Sequence, residues 1–264
     1  MVTLERNDPR QYDDLADQWW RPGGGFEILH WLAKARGALV PPAERTGAVL
    51  LDAGCGGGLL APHVRGLGYR HVGVDLRRSG LEQSAVRGII PVAGDVTALP
   101  LASACADVVV AGEILEHVTD LRATVAELCR VLRPGGLLVL DTVNDTALAR
   151  FITVTAGEWL GIAPIGLHDP SLFVDPERLT AEFAQHGVRL QVRGVRPTMT
   201  GLLRWLVLPG GAKTGRPLGR IVPTWSKAVL YQGQGRKELG QDQGQGRKGL
   251  YQDQGRGRKR EECR

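Results

Sequence analysis

Leu50-Leu51-Asp52-Ala53-Gly54-Cys55-Gly56-Gly57-Gly58 decides how this chain is read. Apolar residues lead into an acid and then into a run of glycines, the pattern of a buried strand entering a tight turn that opens a helix. Glycine has no Cβ, so backbone amides in such a turn can approach a ligand closely and adopt φ > 0 without strain. A helix starting behind the turn adds unpaired N–H groups and the positive end of its dipole.

Outward from this turn, strands and helices alternate. Strands are expected at 49–52, 71–75 (HVGVD), 89–93, 106–111 (ADVVVA) and 137–142 (LLVLDT), with helices at about 58–66, 79–87 and 120–132. The last helix carries Leu121, Val125, Leu128 and Val131 at helical spacing and stops before Arg133-Pro134-Gly135-Gly136. Near-continuous apolar strands separated by helices indicate an α/β fold whose mostly parallel sheet is covered on both faces. Ligands of such sheets bind at the carboxyl ends of the strands. Further on, a capped helix is expected from Asp175-Pro176 to about residue 186. Strands at 190–196 and 227–231 are expected to add an antiparallel pair, with a short helix at 202–208 and a Pro/Gly-rich stretch at 209–223.

A chain of 264 residues is long enough for one full-sized α/β core with a small addition. No apolar run approaches the roughly 20 residues that span a bilayer, and residues 1–10 are too polar for a signal peptide. Cys55, Cys105, Cys129 and Cys263 show no Cys-x-x-Cys spacing, so reduced thiols in a cytoplasmic protein are expected, without structural zinc. The net charge of +5 is concentrated at the end, where residues 232–264 hold nine Lys/Arg against five Asp/Glu. That segment repeats Gln-Gly-Gln-Gly-Arg-Lys at 232–237 and 243–248, and Gln-Gly-Arg-Gly-Arg-Lys at 254–259. It is read as a disordered basic tail. It is either an idle extension or a weak, non-specific contact for RNA or anionic lipid. Residues 1–46 are read as an N-terminal helical cap, and 47–231 as the main domain.

Three acids fall at expected strand ends: Asp52, Asp75 and Asp95. Asp75 lies near the usual distance for a carboxylate that accepts from ribose hydroxyls. A dinucleotide site requires Gly-x-Gly-x-x-Gly, but after Gly54 and Gly56 the third position is Leu59. The turn with its preceding Asp52, together with Asp75, Asp95 and Leu132-Arg133-Pro134-Gly135-Gly136-Leu137, instead resembles class I S-adenosylmethionine (SAM) methyltransferases. That resemblance implies a Rossmann-like fold with a seven-stranded sheet. It places Asp52, Gly54 and Gly56 at the cofactor, Asp75 at the ribose and Asp95 at the adenine.

The likeness narrows outside the cofactor site. Tyr12-Asp13-Asp14-Leu15-Ala16-Asp17-Gln18-Trp19-Trp20, Glu113-Ile114-Leu115-Glu116-His117-Val118 and His168-Asp169-Pro170-Ser171-Leu172-Phe173-Val174 resemble segments of the ubiquinone-biosynthesis O-methyltransferases, over roughly residues 7–229. The resemblance implies a phenolic or prenylated acceptor, Arg36 at the SAM carboxylate, Gly112 lining the cofactor, and a metal, Mg²⁺, on Glu113, Glu116 and His117. A phenol ionises near pH 10, so transfer to its oxygen benefits from a base or a metal. Glu116 and His117 are the candidates for that role. Metal-independent methyltransferases also carry Glu-His here, where the pair packs or orients. Residues 147–168 are apolar, interrupted by Gly and Pro, and are read as a lid that can dip into an anionic membrane from its cytoplasmic side. The alternative is a helix buried against the sheet. Trp19 and Trp20 either wall the acceptor pocket or staple the N-terminal segment to the core. Competing functions are RNA or small-molecule N-methylation, NAD(P)-dependent oxidoreduction, and SAM binding without catalysis.

Overall fold

The computed structural model describes residues 4–160, 164–207 and 219–239. Two helices precede the sheet, α1 (Gln11–Asp14) and α2 (Glu27–Gly37). The first strand, β1 (Val49–Ala53), lies inside the sheet, and its Leu50, Leu51 and Ala53 are fully buried. Burial on both faces explains why the strand reads as an unbroken apolar run rather than an alternating one. Then follow α3 (Ala61–Val64), β2 (Arg70–Asp75), α4 (Arg78–Val86), β3 (Ile90–Ala93), β4 (Ala106–Gly112), α5 (Leu121–Val131) and β5 (Leu132–Val143). Strands β3, β2, β1, β4 and β5 are neighbours in that order and all parallel. The Asp120 side chain caps α5 by accepting from Ala123 N–H at 2.9 Å. A bulge between Ala106 and Val108 accommodates the Pro-Gly-Gly stretch at the start of β5.

The chain then forms α6 (Ala147–Arg150), a π-helical turn (Phe151–Ala156) and α7 (Gly157–Trp159), where the apolar lid was expected. It continues through α8 (Pro176–Gln185), β6 (Val188–Pro197), α9 (Met199–Val207), β7 (Ile221–Thr224) and β8 (Leu230–Lys237). Asp175 caps α8 through Glu177 N–H and Arg178 N–H. No helix among the described residues is long and apolar enough to cross a membrane.

The sheet has eight strands, in the order β3-β2-β1-β4-β5-β8-β6-β7, rather than seven. The additional strand is β7, taken from the stretch that reads as Pro/Gly-rich. Pro223 is tolerated there because β7 is an edge strand. The expected strand at 227–231 is displaced to Leu230–Lys237, which corrects the boundary drawn at residue 232. The first Gln-Gly-Gln-Gly-Arg-Lys unit is not tail but β8, antiparallel to both β5 and β6. Its glycines are required by packing. A Cβ on Gly233 would meet Leu190 at 3.0 Å, and one on Gly235 would meet the Arg189 carbonyl at 2.6 Å. Its cations are partnered as well. Lys237 Nζ donates to the carbonyls of Cys129 and Leu132 at the end of α5, and Arg236 to that of Gly135. The two later repeat units lie outside the described residues. A chain ending at Tyr231 loses this strand and is expected not to fold, whereas one ending at Leu239 keeps every described strand and retains cooperative thermal unfolding. Circular dichroism melts of the two truncations check this.

Candidate active site

The glycine turn joins β1 to α3 as expected, with Gly54 and Gly56 at φ of 71° and 47°. Both also make room for side chains. A Cβ on Gly54 would stand 2.6 Å from Ile114, and one on Gly56 2.4 Å from the Trp19 ring. Trp19 therefore lies flat on the turn, and Trp20 Nε1 donates to the Gly57 carbonyl at 2.9 Å. The two tryptophans staple the N-terminal segment to the turn. The staple is reinforced where Asp13 accepts from Ser79 Oγ at 2.6 Å and pairs with Arg77, and where Arg87 covers the Trp20 ring at 3.7 Å.

The seven residues expected around the cofactor, from Arg36 to Gly112, all line one cleft of about 670 Å³ at the carboxyl ends of the parallel strands. Asp52 is buried beneath the turn, with His71 Nε2 at 3.6 Å. Asp75 accepts from Gly56 N–H and Arg77 N–H, each at 2.8 Å. Burial still pushes its carboxyl above the usual range. Asp95 accepts from the Thr97 amide and hydroxyl, both at 2.8 Å. Arg36 is buried and paired with Asp141 at the end of β5. Asp141 is a site residue that sequence reasoning missed, although LLVLDT marks it as a fourth acid at a strand end.

Beyond β4, Glu113 sits at φ 52° and a 3₁₀ turn runs over Leu115–His117. This turn sends Glu116 and His117 in different directions. Glu116 is fully buried and accepts from Thr142 Oγ1 at 2.8 Å. It joins Glu113 and Asp141 in one cluster of carboxyl groups. Burial pushes Glu116 up to about 7 and Glu113 well above the carboxylate range, with their mutual repulsion adding to the latter. His117 instead lines the cleft. Its Nε2 lies 3.3 Å from the Tyr12 hydroxyl, its Nδ1 2.6 Å from Asn7 Oδ1, and its ring stacks on His168 with centroids 5.2 Å apart. Burial, with His168 alongside, pushes the imidazole down to about 3, so the ring is neutral at physiological pH.

Residues 51–140 match the methyltransferase domain family. The chain is 31% identical over 209 residues to the ubiquinone biosynthesis O-methyltransferase of Brucella anthropi, covering 72% of this chain and 84% of that protein. It is 33% identical over 195 residues to the protein of the same name from Paraburkholderia xenovorans, covering 70% and 83%. The chain belongs to this family of SAM-dependent methyltransferases. A SAM-dependent methyltransferase of Thermotoga maritima, described as a possible histamine N-methyltransferase, shares the fold. It matches with a TM-score of 0.60 over 86% of this chain and 98% of its own, at 17% identity.

The methyltransferase's cleft fits SAM. Arg36 Nε is buried without a hydrogen-bond partner, which leaves an N–H for a carboxylate at this end. Asp75 stands at the next strand end, where ribose hydroxyls are expected, and Asp95 one strand further along. A divalent cation fits less well. Glu113, Glu116 and His117 do not converge, because Glu116 faces Thr142 while His117 faces Asn7 and Tyr12. Among the described residues no three His, Cys, Asp or Glu side chains form a group that could hold a metal. The expected ligand set is therefore corrected: Glu113 and Glu116 belong to the buried carboxyl cluster, of which only Glu113 reaches the cleft wall, and the His117 ring nitrogens are taken by Asn7 and Tyr12. Gly112 supports Arg36 directly, since a Cβ there would lie 2.2 Å from the guanidinium carbon. Gly112→Ala is expected to displace Arg36 and weaken SAM binding about tenfold, roughly 1.4 kcal/mol, as measured by calorimetry. An unchanged affinity would remove Arg36 from the cofactor site.

Proposed function

We propose that this methyltransferase transfers the methyl group of SAM to a phenolic or catechol hydroxyl of an apolar small molecule, a prenylated quinone precursor. The observation that carries the reading is His117, whose ring is held between Asn7 and Tyr12 in a cleft that is apolar on its acceptor side. Leu29, Ile152, Leu167, Val195 and Leu202 line that side. The names of the relatives give it further support. SAM, when bound, supplies an already activated methyl group. The chain's own task is to align acceptor and donor and to exclude water. A phenol is mostly protonated at neutral pH, and His117 Nε2 is placed to take its proton as the oxygen attacks. Arg36 and Asp75 hold the donor from the other end.

The basic repeats favour N-methylation of RNA as the competing function. The first repeat weakens that case, because it forms β8 and its Lys237 and Arg236 donate to backbone carbonyls of the same chain. Labelled SAM offered to a panel of catechols with short and long prenyl tails is expected to label the long-tailed members best, with and without chelator. His117→Ala is expected to lower turnover by about 100-fold or more. Labelling of RNA but of no catechol, or full turnover by His117→Ala, overturns the reading.

A prenylated acceptor resides in a membrane, and the mouth of the cleft suits one. Leu148, Phe151, Trp159 and Leu160 on the lid and Met199 and Leu203 on α9 are exposed, Trp159 by 84%. Arg150 and Arg204 are exposed on the same helices. Such an apolar face with flanking cations matches peripheral attachment to an anionic surface, the inner face of the plasma membrane. The double substitution Phe151→Ser/Trp159→Ser is expected to cut co-flotation with anionic vesicles by about tenfold or more while sparing turnover of a short-tailed catechol. Equal flotation of the wild type with neutral vesicles, or none with either, would refute the attachment.

A further inference from the structure

His117 is held by a residue 110 positions away in the chain. Asn7 Nδ2 donates to the His117 carbonyl at 2.9 Å, while Asn7 Oδ1 lies 2.6 Å from His117 Nδ1. The first contact orients the second. A carbonyl only accepts, so the end of the amide that meets it must be the NH₂ group. The other end is then the amide oxygen, which also only accepts, so the ring nitrogen facing it must carry a proton. A neutral imidazole protonated at Nδ1 has a bare lone pair at Nε2. The Tyr12 hydroxyl, 3.3 Å from Nε2, consequently donates to it. His168, stacked on the ring face, makes no hydrogen bond to either nitrogen and leaves this assignment untouched.

Asn7 is itself fixed. Its backbone N–H donates to the Gly166 carbonyl at 2.8 Å, and its φ of 61° lies in the left-handed region that asparagine tolerates better than most residues. The segment around it is tied to the lid, because Arg6 forms a two-pronged pair with Glu158 at 2.7 and 2.9 Å and also donates to the His168 carbonyl. The amide is thus presented to His117 by backbone and ion-pair contacts on the side of the ring away from Tyr12's hydroxyl.

We infer that Asn7 is a positioning residue, which locks His117 as the Nδ1–H tautomer so that the Nε2 lone pair is available to the methyl acceptor. The inference rests on the reading of His117 as the proton acceptor in O-methylation. In that step the acceptor hydroxyl replaces that of Tyr12 as the donor to Nε2. Its oxygen forms a bond to the methyl carbon, the carbon–sulfur bond breaks with its electron pair going to sulfur, and the hydroxyl proton passes to Nε2. The resulting imidazolium keeps its Nδ1–H bond to the Asn7 oxygen, so the ring does not turn during the transfer. The opposite tautomer would present a donor to the acceptor oxygen and could take no proton from it at Nε2.

Two substitutions separate the lock from simple packing. Asn7→Gly accepts the left-handed backbone without strain and removes the amide; Asn7→Asp keeps an acceptor facing Nδ1 while giving up the donor to the His117 carbonyl. Two-bond proton–nitrogen spectra of the histidine-labelled full chain read the tautomer directly, with the His117 signals identified among the six histidines by their loss in His117→Gln. The wild type and Asn7→Asp are expected to show a protonated Nδ1 and a bare Nε2, and Asn7→Gly to lose that pattern. Asn7→Gly is expected to lower kcat on a catechol on the order of 10- to 100-fold with SAM affinity unchanged, and Asn7→Asp to recover most of it. A wild-type proton on Nε2, or an Asn7→Gly protein with the wild-type tautomer, overturns the inference. If no form of the protein methylates a phenol, the spectra alone decide the lock, and the failed turnover counts against the acceptor instead.

Discussion

Arg36 brings a guanidinium into the interior beside the carboxyl groups of Asp141, Glu113 and Asp52. Desolvating each ion of such a pair costs several kcal/mol, and the surrounding structure is arranged to recover that cost. Asp141 meets the cation at the end of β5, and Gly112 gives it room at the end of β4. Burial pushes the carboxyls of Glu113 and Glu116 upward, which favours their neutral forms in the interior. Helix α2, strand β4 and strand β5 are therefore registered on one charged contact. That contact leaves the Arg36 Nε without a hydrogen-bond partner in the protein, which suits a ligand carboxylate.

Above this contact the N-terminal segment forms the roof of the cleft. Trp19 on Gly56, Trp20 on the Gly57 carbonyl and Asp13 on Ser79 hold it against the glycine turn and the start of α4. The same segment reaches the lid through Arg6 and Glu158. The glycine turn and the lid are thus tied together by one continuous stretch of chain. This is consistent with a reaction whose electrophile is already activated and whose protein mainly aligns the partners and keeps water out.

Family likeness and local geometry part company at Glu113-Ile114-Leu115-Glu116-His117. On an α-helix these acids and the histidine would share a face. The chain instead forms a 3₁₀ turn entered through a left-handed Glu113, and the histidine leaves the acids behind. In the cleft the imidazole keeps each ring nitrogen on a defined partner, while Glu113 shares the cleft wall without meeting it.

The parallel half of the sheet, the glycine turn and the acids at Asp52, Asp75 and Asp95 were legible because each depends on local pattern. Apolar runs mark buried strands, glycines mark close approach, and an acid at a strand end faces the ligand side of any such sheet. The amino-acid sequence by itself therefore determined the fold class and the methyl donor. Strand β8 was hidden because Gln-Gly-Gln-Gly-Arg-Lys looks like low-complexity tail, and only contact with Leu190, Leu140 and Arg189 shows why its glycines are needed. Tertiary structure alone decided that Glu116 turns inward, that Asp141 holds Arg36, and that Asn7 meets His117. Those contacts join residues from 26 to 110 positions apart, and no periodicity along the chain encodes which distant side chain a buried polar group must find.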